Sequence, residues 1–355
     1  MWACVATTDC FAQWKTGVEL RRTLEAPLDA VTFSGKPLRG ALERVSQTQQ
    51  VAIYIDRGVD ADQIVEFSSS GLPLSLTIAR LVDRCGARAC QIGPVTYIAP
   101  PETAALLATV VEMRREEMRQ LPAAAKARLL KSTPLKWQRM TTPRDVLDAL
   151  EAEYGVRIAG KENVPHDLWP AVDLPPLDFA EKLSLALAGF RVTFAFSPDG
   201  AAVRLVAMPS TAKLQRRYGA GDAAGRIAEQ LSRQFPDATI QARGAELNVD
   251  AAWEVHDAIE RLLAGERTRP AVAAPAEGDR HYTLTVANQS VGQVLRALGA
   301  KLGKKVVFDV KNERRLKAEA SFEVKQVSLE DLLSAAVKPA GLQFKIEGDV
   351  IRVFD

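Results

Sequence analysis

Apolar residues recur along this 355-residue chain with two spacings, and the order of those spacings repeats. The clearest run is Tyr282 to Phe354. Alternation at Tyr282, Leu284 and Val286 predicts a strand, and three- and four-residue spacing from Ser290 through Leu298 predicts a helix. Val306–Asp309 and Ala320–Val324 read as strands, Ser328–Val337 as a second helix, and Leu342–Val353 as a closing hairpin. The order β-α-β-β-α-β-β predicts two helices packed against one small sheet.

The same order is legible earlier. Ala30–Phe33 alternates as a strand, and Ser34-Gly-Lys-Pro is expected to open a helix whose buried face is Leu38, Ala41, Leu42 and Val45. Val51–Asp56 and Ile64–Phe67 follow as strands, then a helix from Ser75 with Gly86 beyond its end, then a hairpin around Gly93-Pro94. A second, divergent copy starts at Leu135. Thr142-Pro143 reads as a helix start, Gly155 as its end, Val172–Leu174 as a short strand stopped by Pro175-Pro176, and Ser197-Pro-Asp-Gly200 as a hairpin turn. Between the second and third copies, residues 222–263 read as helix–strand–strand–helix.

The expected organisation is therefore an α+β string of small modules. It comprises an N-terminal helix (1–27), module 1 (28–100), a connecting helix (101–133), module 2 (134–209), an αββα unit (214–266), a flexible linker (267–280) and module 3 (281–355). Within the linker, Pro270 to Gly278 has the composition of a tether. Superposing the copies aligns Leu42, Leu147 and Leu295, then Val45, Leu150 and Leu298, and in the next strand Ile53, Ile158 and Val306. Asp56 and Asp309 each end that strand, where an aspartate is expected to cap the following turn.

These residues carry a resemblance. A Leu-x-x-x-Leu-x-x-Val/Leu helix, a short apolar strand ending in Asp, a Ser-Leu-x-x-Leu-Leu helix and a hairpin such as Ile346-Glu-Gly-Asp-Val-Ile-Arg-Val look like the secretin and TonB short N-terminal domain. Residues 222–263 are reminiscent of the α/β ring-forming domains of secretins. The resemblance implies a non-enzymatic protein–protein interaction or scaffold function in the bacterial cell envelope, with a periplasmic location and a partner in a secretion or transport system. The chain has no series of amphipathic strands for an outer-membrane barrel, so a pore function is not carried over. The alternative reading is a ligand-sensing module holding a small molecule or glycan between modules.

Composition narrows this picture slightly. The chain is 25% charged with a net charge of +2, which gives no broad basic field, and nucleic acid is not expected as a partner. No apolar run reaches the roughly 18 residues of a membrane span. The N-terminus lacks a complete secretory signal, so the protein is either cytoplasmic or begins after a signal that was removed or left out. Between Pro101 and Leu130 an apolar stripe (Leu106, Leu107, Val110, Val111, Met118) faces Arg114, Arg115, Arg119, Lys126 and Arg128. This is expected to be a connector with one buried face, the alternative being a helix lying on a membrane or a partner.

Four cysteines form two close pairs, Cys4/Cys10 and Cys85/Cys90, as candidate disulfides or as buried thiols. Neither pair has metal-ligand spacing, and His166, His256 and His281 stand apart; no metal or cofactor is expected. Gly219-Ala-Gly221-Asp-Ala-Ala-Gly225 lacks the preceding buried strand that a dinucleotide loop requires. The acid pairs Glu116/Glu117 and Glu151/Glu153 read as solvated faces, and no catalytic residue is assigned. Trp137, Trp169 and Trp253 are expected in packing, with Trp169 the candidate exposed contact.

Overall fold

The computed structural model describes residues 14–264, 282–302, 305–310, 313–327, 329–347 and 350–354. The chain divides between Arg269 and Pro270 into two compact units. The expected tether from Pro270 to Gly278 lies outside the described residues, as do Cys4, Cys10 and His281.

The first unit opens with α1 (Gly17–Glu25), which packs on the first module. Module 1 contains β1 (Val31–Pro37), α2 (Leu38–Gln49), β2 (Ala52–Ile55), β3 (Ile64–Ser69), α3 (Leu74–Asp83), β4 (Arg88–Ile92) and β5 (Val95–Ala99). It has two sheets where one was expected. β1 pairs antiparallel with β3, while β2 runs parallel to β5, which pairs antiparallel with β4. A parallel pair needs a long crossover, and the β2-to-β5 span of the module supplies it through β3, α3 and β4. The helix expected from Ser34 begins only at Leu38. β1 continues to Pro37 through a bulge, held where the Gly35 amide donates to Glu66 Oε1 at 2.7 Å.

Next come α4 (Pro101–Gln120) and α5 (Ala123–Leu129). Module 2 repeats the topology with β6 (Thr133–Trp137), α6 (Pro143–Tyr154), β7 (Arg157–Ala159), β8 (Val172–Leu177), α7 (Phe179–Leu187), β9 (Val192–Phe196) and β10 (Ala202–Ala207). β6 pairs with β8, and the second sheet runs β7-β10-β9 with β7 parallel to β10. Both expected helix boundaries are present: Thr142 and Asp145 form a reciprocal capping box, and Gly155 sits left-handed at φ 58°. The strand expected to stop at Leu174 runs through Pro175 and Pro176 to Leu177. The β6–β8 sheet has two strands, so each keeps an outer edge where a missing N–H breaks no ladder.

The unit expected as αββα has an additional leading strand. β11 (Leu214–Gly219) precedes α8 (Ala224–Gln234), β12 (Thr239–Arg243), β13 (Glu246–Ala251) and α9 (Trp253–Leu263), with sheet order β11-β13-β12. In the second unit, module 3 comprises β14 (Tyr282–Ser290), α10 (Val291–Leu302), β15 (Lys305–Asp309), β16 (Glu319–Val327), α11 (Leu329–Val337), β17 (Gln343–Glu347) and β18 (Val350–Phe354). Its sheets, β14-β16 and β15-β18-β17, match those of modules 1 and 2 strand for strand, including the parallel β15–β18 pair. Leu42, Leu147 and Leu295 are each 1% exposed.

Sheet faces separate module 1 from module 3. In module 1, side chains alternate between two cores. Ile53, Ile55 and Ile98 point to α2 and α3, while Ala52, Tyr54, Val95 and Tyr97 point into a second core shared with α4 and module 2. All five residues of β5 are buried. In module 3 the corresponding strand buries Ile351 and Val353 but leaves Arg352 exposed. Module 1 thus buries both faces of its larger sheet.

Candidate functional site

α4 was expected as a connector. It joins module 1 to module 2 in the chain and also packs against β4, β9, α7 and α9. Thr103, Ala104, Leu107, Val110, Val111 and Met118 are buried along it. Its basic face is occupied by carboxylates. Arg115 Nη1 donates to Glu112 Oε1 at 2.7 Å and Arg115 Nε to Asp178 Oδ2 at 2.8 Å, while Arg114 pairs with Glu117. From β11, Arg216 donates to Glu116 at 2.6 Å, to Glu112 at 3.4 Å and to Glu260 at 3.2 Å, and lies 4.9 Å from the Trp253 ring centroid. The Trp253 amide donates to Thr109 Oγ1 at 2.9 Å. These contacts fix the β11–α9 subdomain on α4, and Arg114 and Arg115 of the expected basic face are engaged by carboxylates of the same unit.

The acid pairs also have partners. Glu151 accepts from the Ile158 amide and from Lys161. Glu153 accepts from the Lys182 ammonium at 2.9 Å through each oxygen, and Lys182 also donates to Thr133. The Lys182 side chain is fully buried, and burial holds its pKa below the ordinary lysine value. With Glu153 and Thr133 as partners, the ammonium ties α7 to α6 and β6.

Glu181, one residue earlier, completes a capping box with Asp178 and is 5% exposed. Its Oε2 accepts from the Asp178 amide at 2.9 Å, and Arg115 lies 3.9 Å away. Burial first, then the Asp178 charge, pushes its carboxyl up to about 7 against the pull of Arg115. A Cβ added at Gly93 (φ +50°), in the β4–β5 turn of module 1, would run into this carboxylate. The turn and the start of α7 therefore meet across the module junction.

The rest of the junction is aromatic. Tyr54 stacks on Tyr97 at 5.6 Å and meets Trp137 edge-on at 6.1 Å; Trp137 contacts Trp169 at 5.2 Å, and Trp169 stacks on Phe190 at 6.1 Å. Arg57 covers Phe190 at 4.7 Å and donates to Asp167 at 2.8 Å. Trp169, the candidate exposed contact, is only 6% exposed; the Thr141–Trp169 bridge turns its ring inward onto Trp137. A ligand between modules 1 and 2 would need a cleft, and the cavity there is about 10 Å³, near the least that holds one water.

Asp56 has the expected capping role, accepting from the Gly58 amide at 2.6 Å. It is also 3% exposed and accepts from the Tyr97 hydroxyl at 2.5 Å, a partner the sequence did not announce. Burial and this carboxylate push the Tyr97 hydroxyl well above its ordinary pKa. In module 3, Arg352 stands where module 1 has Tyr97, and it pairs with the exposed Asp309 at 3.3 Å.

Cys85 and Cys90 are free thiols, not a disulfide. Cys85, in the turn after α3, packs on the core beneath α2 and α3, whereas Cys90 alternates onto the other face of β4. Burial raises both thiols' pKa values, Cys90's most. His256 is fully buried. Its Nε2 lies 3.0 Å from the Leu214 carbonyl, which only accepts, so Nδ1 accepts from the Tyr218 hydroxyl at 2.8 Å. The Gly219–Gly225 loop does follow a strand, β11, but one with exposed and half-buried positions at the edge of its sheet.

Among the described residues, no group of three His, Cys, Asp or Glu is placed to hold a metal, and no helix is long and apolar enough to cross a membrane. Neither the models of known protein families nor the curated proteins contain a match to this chain.

Proposed function

We propose that this chain is a non-enzymatic protein–protein interaction or scaffold protein of the bacterial cell envelope, similar in role to the periplasmic part of secretins or TonB-dependent transducers. The observation carrying this reading is the threefold recurrence of one topology. Each copy has a two-stranded sheet beside a three-stranded sheet with a parallel pair. Among the described residues the two-stranded sheets add no third strand, and such edges offer main-chain donors and acceptors to a partner. The polar clusters inside the first unit tie its own elements together, which suits a rigid platform. Partners from a secretion or transport system fit this role.

The test is affinity capture of the tagged full chain from envelope and cytosolic fractions, with its own location followed in parallel. Co-fractionation with the envelope and recovery of an envelope protein that rebinds when purified is the expected result. Cytosolic partners alone, with no envelope location, would sink the proposal.

A further inference from the structure

We propose that the free edge of β1 is a self-association site, on which a second copy of this chain docks antiparallel to give a four-stranded β3-β1-β1-β3 sheet. This rests on the module 1 surface and stands whether or not the envelope reading holds.

A groove of about 320 Å³ runs between the β1 side and the C-terminal half of α2. Six consecutive residues, Leu28 to Phe33, line it, and they include both inward and outward side chains. Within β1 the lining takes the successive residues Val31, Thr32 and Phe33, whose side chains alternate, so it follows the edge of the strand as well as one face. β3 occupies one edge of β1, and among the described residues no strand occupies the other. β1 begins at Val31 and the bulge between Phe33 and Lys36 ends its regular edge, so Val31–Phe33 is the strand edge on offer, with Leu28–Ala30 leading into it. Phe33 and Val45 form a buried floor, while Asp29, Thr32, Arg44 and Thr48 are exposed around it. An apolar floor with a polar rim is the layout of an interface.

The charges identify the occupant. The rim carries one acid, Asp29, and one base, Arg44, and neither is in an ion pair among the described residues. A two-fold contact requires a surface complementary to itself, each residue meeting a different residue of its mate. Asp29 lies two residues before β1 and lines the same groove as Arg44. A second copy lying antiparallel in the groove brings its own Asp29 into that groove against Arg44 of the first copy, and the reverse contact follows by symmetry. Pairing also doubles a two-stranded sheet, which is marginal by itself.

The experiment is sedimentation of the full chain over a concentration series, comparing wild type, Asp29→Arg, Arg44→Asp and the double variant. All the changes are at exposed positions and should leave the circular dichroism spectrum unchanged. Wild type should show a reversible monomer–dimer equilibrium. Each single variant should weaken it roughly tenfold or more, because one substitution places like charges at two symmetry-related contacts. The double variant should recover it. A monomer at every concentration overturns the proposal, as does a dimer indifferent to both reversals or a loss the double variant does not restore.

Discussion

Replacing Glu181 by glutamine should remove a specific pH dependence from the first unit. The glutamine oxygen can still accept from the Asp178 amide, so the cap of α7 is kept, and Arg115 retains Asp178 and Glu112. What goes is a carboxyl whose folded-state pKa, about 7, stands above its reference of 4.5. A carboxyl raised on folding contributes stability that is full below the unfolded pKa and lost as pH rises through the folded one. The unfavourable cost of ionisation therefore develops between about pH 4.5 and 7. A separation of about 2.5 units at roughly 1.36 kcal/mol each corresponds to about 3 kcal/mol. The charged neighbours setting it are Arg115 and Glu112 from α4 and Asp178 at the start of α7, with burial the largest cause.

Urea denaturation followed by tryptophan fluorescence isolates this unit, since all five tryptophans precede Pro270. Plotted against pH from 4 to 8, wild-type stability minus that of Glu181→Gln should fall by about 3 kcal/mol, chiefly between pH 4.5 and 7. Parallel curves, or a difference rising with pH, would refute the reasoning.

Gly93→Ala should destabilise the same transition by about 2 kcal/mol, combining a left-handed backbone with the clash against Glu181; full stability would show that the β4–β5 turn does not abut α7. Trp169→Ala should cost about 3–5 kcal/mol in thermal or urea unfolding, as a core aromatic does, whereas an exposed contact residue would cost almost nothing. Thiol alkylation of the native chain read by peptide mass spectrometry should modify Cys85 well before Cys90, whose thiol is pushed further above its ordinary pKa, and equal rates would contradict that difference. Leu42→Ala and Leu147→Ala should each lower the fluorescence-detected stability by about 2–5 kcal/mol, while Leu295→Ala should leave it unmoved and weaken only a transition seen by circular dichroism.

The sequence by itself determined the local elements and their recurrence. Apolar spacing at Leu42, Leu147 and Leu295 marked the same helix face three times, and each is buried. Thr142 and Gly155 marked helix ends, and the Ser197–Gly200 turn closes as read, with the Gly200 amide donating to the Ser197 carbonyl at 2.9 Å. Such signals act over a few residues, so a one-dimensional reading captures them.

Tertiary structure decided everything set by partners distant in the chain. β11 was missed because the polar run Gln215, Arg216 and Arg217 does not read as a buried strand, whereas Arg216 takes carboxylate partners from an α4 residue a hundred positions earlier and from α9. Strand pairing split each expected sheet in two, since period-two alternation fixes which face a side chain takes but not which strand lies beside it. Trp169 had no local cue to its burial, nor Cys90 to the core it faces; a bridge to Thr141 and the reverse face of β4 place them. Tyr97 in module 1 and Arg352 in module 3 occupy one topological position, yet the first is sealed in the core shared with α4 and module 2 and the second is exposed. The apolar residue was legible as a residue, but only the packing of α4 and module 2 against that sheet face made it core.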